Sequence, residues 1–330
     1  MNQKQMLTSV LPTLSATWRL FGLLVLSLSC AGALAQDYPA RPTRFVVGGG
    51  PDQLARIVAD KLSARWGQAV FVEQKNGAGG TVAAQFVVQS PPDGYNWLLS
   101  STSYSIGTAL QPKLSYSFTK DLAPVAMIAT LPFVLVVNND LPVHSLKELV
   151  ALAKSRPGKL NYGSSGTGSP PHLAGEMLRQ MAGIDALHVP YKFVAPALAD
   201  VIANQVQYMF APAPAALTLI KGGKLRAIAV STLNRYGPLP DVLTVAEQGY
   251  PDYQLVGWNG VHVAVKTPPA ILDKIADDIA AIMKTPDAQQ KAEAAGFVPM
   301  SMSRKEFEAF VLADLARFTK VIKDGNIKAD

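Results

Sequence analysis

The chain is poor in the side chains that carry nucleophilic and metal chemistry. Its 330 residues include one cysteine and four histidines. The single cysteine, Cys30, falls in an N-terminal stretch that reads as a removable leader. The mature protein is therefore expected to have no disulfide, no thiol nucleophile and no thiolate metal site. His144, His172, His188 and His262 show no metal-ligand spacing, so neither a metal nor another cofactor is expected. Charged residues make up only 16% of the chain, with no lysine or arginine block. A nucleic-acid partner needs such a block, and none is expected. The Gly-x-Ser-x-Gly elbow, the Walker ending and the Rossmann glycine spacing are all missing. So are internal repeats, heptads and low-complexity tracts.

Residues 1–35 read as a cleavable signal peptide. Lys4 and Arg19 precede an apolar run from Leu20 to Leu28, and Ala33-Leu34-Ala35 forms an A-x-A site before Gln36. The run is too short for a spanning helix, which needs about 20 apolar residues. Cleavage is expected after Ala35, with soluble export to the periplasm. Loss of Lys4 and Arg19 lowers the formal charge from +6 to +4, a weak bias toward anionic ligands.

What remains, roughly 295 residues, suffices for two ordinary domains. With 49% hydrophobic residues a large core is expected. Strand-like and helix-like runs alternate. Thr43 to Val47, Ala69 to Val72 and Tyr95 to Ser100 read as strands, with helices at Asp52 to Trp66 and Thr81 to Gln89 between them. The pattern resumes after Ser145, which caps a helix with Glu148 at the capping-box position. Such alternation predicts parallel βαβ units. In the helical tail, Leu312, Leu315 and Phe318 form a stripe expected to pack in the core. Two apolar runs, near 133–138 and 256–265, are candidates for strands crossing between lobes.

Three loops concentrate small and polar residues: Asn76-Gly77-Ala78-Gly79-Gly80, Gly163 to Ser169, and His188-Val189-Pro190-Tyr191-Lys192. The first two lie between a strand and a helix, where unpaired amides and the helix dipole attract anions. No nucleophile–base pair or acid–base dyad accompanies them, which predicts capture without chemistry.

With Tyr38-Pro39-Ala40-Arg41-Pro42, Pro92-Asp93-Gly94-Tyr95, His172-Leu173-Ala174-Gly175-Glu176 and Gly223-Lys224-Leu225-Arg226-Ala227, these loops stand in family order. From Tyr38 to Lys328 the chain resembles the Bug-type extracytoplasmic solute receptors, the periplasmic binding component of tripartite tricarboxylate transporters. The resemblance implies an α/β fold of the type II periplasmic binding protein class, with a ligand cleft between two lobes. It implies one lobe from residues 36–138 plus 261–330 and another from 139–260. It implies capture of a small organic carboxylate, chiefly through backbone amides, by a monomer that delivers it to membrane permease subunits. Two alternatives are an enzyme on the same bilobal fold and a sensor for a membrane kinase.

Carried over by position, the ligand-binding residues are Gly48, Gly49 and Asp52; Gly77, Ala78, Gly79, Gly80 and Thr81; Ser101 and Ser103; and Ser164, Ser165, Gly166, Thr167 and Ser169. His172, at a helix start, and Phe193 join them. Three departures from the family bear on the ligand. Val47 runs straight into Gly48 without an aromatic-proline stretch. Phe193 follows Lys192 where glycine is usual, and Ala211 stands where many members carry aspartate. An apolar wall and a missing counter-charge predict an aromatic or otherwise apolar carboxylate in place of an amino acid.

Overall fold

The computed structural model describes residues 38–48, 52–77, 80–111 and 114–328. The expected signal peptide, its cleavage site, and Gly49, Ala78 and Gly79 lie outside the described residues. Residues from Arg41 onward form one compact unit.

Two mixed sheets organise it. The first contains β1 (Thr43–Val47), β2 (Val70–Gln74), β3 (Asn96–Ser101), β4 (Leu122–Leu131), β10 (Gly257–Ala264) and β11 (Val298–Pro299), in the order β11-β4-β10-β3-β1-β2. The second runs β7-β6-β8-β5-β9, from β5 (Phe133–Asn138), β6 (Leu160–Ser164), β7 (Ala186–Pro190), β8 (Tyr208–Pro212) and β9 (Leu225–Val230). Each sheet holds a parallel trio, β2-β1-β3 and β7-β6-β8, as the alternation predicted. Strands β10, β4, β5 and β9 extend the trios in antiparallel fashion. In both trios the first strand ends up between the next two, so the chain reverses its direction of travel there. Crevices at such switch points lie beyond the carboxyl ends of the strands.

Helices connect the trios: α1 (Gln53–Trp66), α2 (Thr81–Gln89) and α3 (Thr102–Leu110) in the first half, α4 (Leu146–Ser155), α5 (Pro170–Ala182) and α6 (Val194–Ile202) in the second. Helix α7 (Ala213–Lys221) precedes β9, and α8 (Pro269–Met283), α9 (Pro286–Ala294) and α10 (Arg304–Asp324) close the chain. Gly67 at φ 64° ends α1 with its N–H on the Ser63 carbonyl, a left-handed stop that glycine adopts without steric cost. Ser145 caps α4 through the Glu148 N–H as predicted, but the Glu148 carboxylate accepts from His144 N–H. A reciprocal capping box forms at α10, between Ser303 and Glu306. Among the described residues no helix is long and apolar enough to cross a membrane.

The run at 133–138 does not cross between sheets. As β5 it pairs with β8 on one side and β9 on the other, while β4 ends at Leu131 in the first sheet. The step between sheets is the single residue Pro132, which has no N–H to give to either ladder. Helix α10 also reaches both halves. Phe307 and Val311 pack in the first core with Trp258, whereas Phe318, Val321 and Ile322 pack in the second with Leu173 and Met177. Its buried face is thus Phe307, Val311, Asp314, Phe318, Val321 and Ile322. The expected stripe is corrected accordingly: Leu312 sits about 100° round the helix from Val311 and is half exposed.

Candidate functional site

A cavity of about 780 Å³ opens between the loops that follow the parallel strands of the two sheets. Four helices begin at its wall. Their N-cap residues Gly80 (α2), Ser101 (α3), Ser169 (α5) and Phe193 (α6) all line it. At the starts of α2, α3 and α6 the N-cap residue offers no side-chain acceptor to the first-turn amides. First-turn amides without an intrahelical or side-chain acceptor, at the positive ends of several helix dipoles, make a site for negative charge.

Side chains reinforce that sign. Lys192 is the one charged residue among the described lining residues, and it is exposed. The hydroxyl-bearing residues Thr81, Ser101, Ser103 and Thr167 line the same space as the aromatic residues Tyr104, Tyr116 and Trp258. The Tyr104 hydroxyl donates to the Gly80 carbonyl at 3.2 Å. Burial pushes the Tyr104 phenol well up and the Tyr116 phenol up, so both keep their protons as donors. Thr102 Oγ1 accepts the Trp258 N–H at 2.8 Å, tying α3 to β10. Behind that wall the Trp258 indole donates to Asp314 Oδ2 at 2.8 Å. Burial raises the Asp314 carboxyl to about 6, against the opposing hydrogen bond from Trp258 and the attraction of Arg317.

Glycine is needed where the backbones crowd. A Cβ on Gly48 would lie 2.3 Å from the Tyr104 hydroxyl and 2.7 Å from the Gly80 Cα. Three segments far apart in sequence therefore meet within one side-chain radius.

Of the positions named from sequence, Gly48, Gly77, Gly80, Thr81, Ser101, Ser103, Thr167, Ser169 and Phe193 line the cavity. The lining omits Asp52, Ser164, Ser165, Gly166 and His172. Asp52 is engaged by Arg56 at 2.7 Å and Gln74 at 3.2 Å. The Arg56 hydrogen bond leads in holding its carboxyl below the usual range. Ser164 is fully buried as the last residue of β6, where its carbonyl accepts the Tyr191 N–H. His172 lies beneath the loop, its Nδ1 accepting the Gly168 N–H at 3.0 Å.

Ala211 is not a cavity position. It is fully buried inside β8, in register with Val134 of β5, and packs in the core beneath the second sheet. An acidic residue missing there exposes no gap to a ligand, so Ala211 does not bear on ligand type. Phe193 does line the cavity, yet it is 71% exposed, a lip at the mouth and not a wall.

Sequence reasoning missed Tyr104, Thr108, Gln111, Trp258 and Asn259. The first three recur at helical spacing after the Ser101 cap, a signal legible only once α3 is assigned. Trp258 and Asn259 are consecutive on β10, so alternation puts them on opposite faces and gives no local signal that both meet the cleft.

Residues 54–327 match the tripartite tricarboxylate transporter family receptor, TctC. The protein BugT of Bordetella pertussis is 32% identical over 314 residues, covering 93% of this chain and 96% of BugT. Among solved structures, R. palustris Rpa4515 with adipate superposes with a TM-score of 0.77 at 33% identity, covering 88% of this chain and 99% of that one. MatC from Rhodopseudomonas palustris with bound malate gives 0.72 at 28% identity, over 86% and 100%. A two-lobed α/β architecture, helix N-termini converging on a cleft and a family match across most of the chain agree: the chain belongs to the tripartite tricarboxylate transporter family receptors.

Proposed function

We propose that the protein captures a small organic carboxylate in this cleft, in the periplasm, and delivers it to the membrane permease subunits of a tripartite transporter. The observation that carries this reading is the convergence of four helix N-termini on a cavity whose described lining holds one lysine and no carboxylate. Adipate and malate in the related structures support the same ligand class. The amides of Gly77, Gly80 and Thr81, of Ser101 to Ser103 and of Thr167 to Ser169 are the proposed anion contacts, with the hydroxyls as adaptable partners.

Strand membership supports two lobes that part at Pro132 and just before Gly257, in place of boundaries after 138 and 260. A ligand touching loops from both sheets then favours the closed state by its differential affinity. Catalysis is not part of the proposal. Ser164 Oγ and His188 Nε2 are 2.7 Å apart, a nucleophile–base distance, but Ser164 is buried outside the cavity lining and its hydroxyl also bonds Gly166.

Thermal shift followed by calorimetry on the mature protein tests the reading. Adipate, malate or benzoate is expected to raise the melting temperature without product formation, and glutamate and aspartate to do less, because the described lining offers their ammonium no carboxylate. A cleft that prefers the amino acids would overturn the ligand class, and turnover of any of them would overturn the receptor role.

Two substitutions resolve the contacts further. Lys192→Ala is expected to weaken adipate no more than about five-fold, since an exposed ion pair contributes little. A loss of two orders of magnitude would mean that Lys192, not the amides, holds the anion. Phe193→Gly is expected to reduce benzoate affinity by about 0.5–1.5 kcal/mol, the typical gain from an aromatic pair, while sparing adipate. Equal losses for both ligands would show that Phe193 does not select for a ring.

A further inference from the structure

The loop that closes the second half of the cleft rests on two stacked histidines. His172, in the first turn of α5, is buried, and the His188 ring of β7 lies 3.7 Å from it, tilted by only 10°. A backbone N–H can only donate, so the bond from Gly168 N–H to His172 Nδ1 at 3.0 Å requires that nitrogen to be unprotonated. On the other side of the same turn, Ser164 Oγ accepts the Gly166 N–H at 3.1 Å and lies 2.7 Å from His188 Nε2. The histidine pair thus grips both ends of the turn from Gly166 to Gly168. Thr167, Gly168 and Ser169 line the cleft. A Cβ on Gly168 would lie 2.3 Å from Leu110 Cδ1, so the turn is wedged against α3.

The surroundings of the pair limit it to one added charge. Tyr162 of β6 faces both rings at 6.4 and 5.1 Å, and Tyr208 of β8 stacks on Tyr162 at 5.6 Å. Burial holds both phenols neutral. On α5 itself, burial tends to raise the Glu176 carboxyl. Hydrogen bonds from Arg179 and Gln180 outweigh that and keep it below its ordinary range. Gln180 is held in turn by the Val321 carbonyl of α10, and α3 brings the apolar Ile106 and Leu110 against Gly168. The Glu176 carboxylate favours a cation at His172, while face-to-face stacking opposes charging both rings.

We propose that His172 is a positioning residue whose unprotonated Nδ1 holds the turn in its ligand-binding shape, and that the one proton the His172–His188 pair takes up, on His172 Nδ1, releases the turn and the bound anion. Protonated Nδ1 would set one N–H against another across 3.0 Å. The Gly168 amide must then swing away and carry Thr167 and Ser169 with it. The sign is diagnostic. Added positive charge acting through space alone tightens an anion as pH falls, whereas unlocking weakens it. Histidine ordinarily titrates between about pH 5 and 8, where simple carboxylates stay ionised.

Only the ligand arm of the test rests on the carboxylate reading. In the free protein, exchange protection of the Gly168 amide, corrected for intrinsic rates, is expected to fall from pH 8 to pH 5. The fall approaches roughly ten-fold per pH unit once the pair titrates. In His172→Asn, whose side-chain oxygen replaces Nδ1 as an acceptor and does not titrate, protection is expected to stay flat. Adipate affinity measured by calorimetry is expected to follow the same profile in the wild type and to lose its pH dependence in His172→Asn. His172→Leu is expected to bind poorly at every pH, with melting temperature as the folding control. Repeating the profile in Asp314→Asn removes the contribution of that buried carboxyl, which burial raises to about 6. Flat protection in the wild type, pH dependence surviving in His172→Asn, or tighter adipate binding in acid would each overturn the proposal. If adipate binds at no pH, the failure belongs to the proposed ligand, and the exchange arm still decides the role of His172.

Discussion

Replacing Gly48 with alanine is expected to weaken carboxylate binding about ten- to hundred-fold, from a single added methyl group. The methyl carbon would lie 2.3 Å from the Tyr104 hydroxyl, 2.7 Å from the Gly80 Cα and 3.1 Å from the Ala83 Cβ. None of the three yields cheaply. Tyr104 is buried and stacked on Phe118 at 5.6 Å, Gly80 is backbone at the cap of α2, and Ala83 is fully buried in that helix. Overpacking of this kind typically costs about 1–3 kcal/mol. Here the strain falls on the helix start whose amides face the cleft. Calorimetry with adipate, alongside a melting curve, separates the two consequences. Wild-type affinity in a folded Gly48→Ala variant would show that the α2 start can move without disturbing the anion, and the amide-cradle account would fail.

The second large effect is on stability and comes from Asp314. Its carboxyl is fully buried on the face of α10 that passes between the two cores, and burial raises it from 3.8 to about 6. A raised carboxyl stabilises the fold in its neutral form. That stabilisation is complete below the unfolded value near pH 4 and is lost as pH rises through about 6, a change of about 3 kcal/mol. Asp314→Asn keeps an acceptor for the Trp258 indole and cannot ionise. The stability of the variant minus that of the wild type is therefore expected to rise between pH 4 and pH 7, by up to that amount. Glu176 and Asp278, whose carboxyls are held low, push the other way in both proteins and cancel in the difference. Denaturant midpoints at several pH values measure it. An asparagine variant less stable than wild type at pH 7 would mean that the Arg317 charge, 3.8 Å away, needs the carboxylate more than burial opposes it.

The loops of the cleft were legible in the sequence because small residues between a strand and a helix have few other uses. Gly77, Gly80, Ser101, Ser103, Thr167 and Ser169 stand out for that reason, and all line the cavity. Their neighbours were read less well. Ser164 belongs to the same run of small residues, but β6 extends through it, so the strand ladder takes its backbone and its buried hydroxyl bonds Gly166 and His188. A helix start points His172 toward the ligand, whereas its ring lies under the loop and accepts the Gly168 N–H. Ala211 departs from the family pattern, but it sits in register with Val134 inside the second sheet.

By itself the sequence determined the alternation of strands and helices, the family, and the glycine- and hydroxyl-rich loops, because these depend on residues near one another along the chain. Only the tertiary structure decided which amides share one cavity, that Tyr104 of α3 and Trp258 of β10 form its wall, and that His172 and His188 stack beneath it. The crossing at Pro132 and the passage of α10 from one core to the other were likewise beyond local pattern. The physical reason is that these facts concern pairs such as Gly48 with Tyr104, or Trp258 with Asp314, whose meeting is set by sheet order and packing and leaves no periodicity in the sequence.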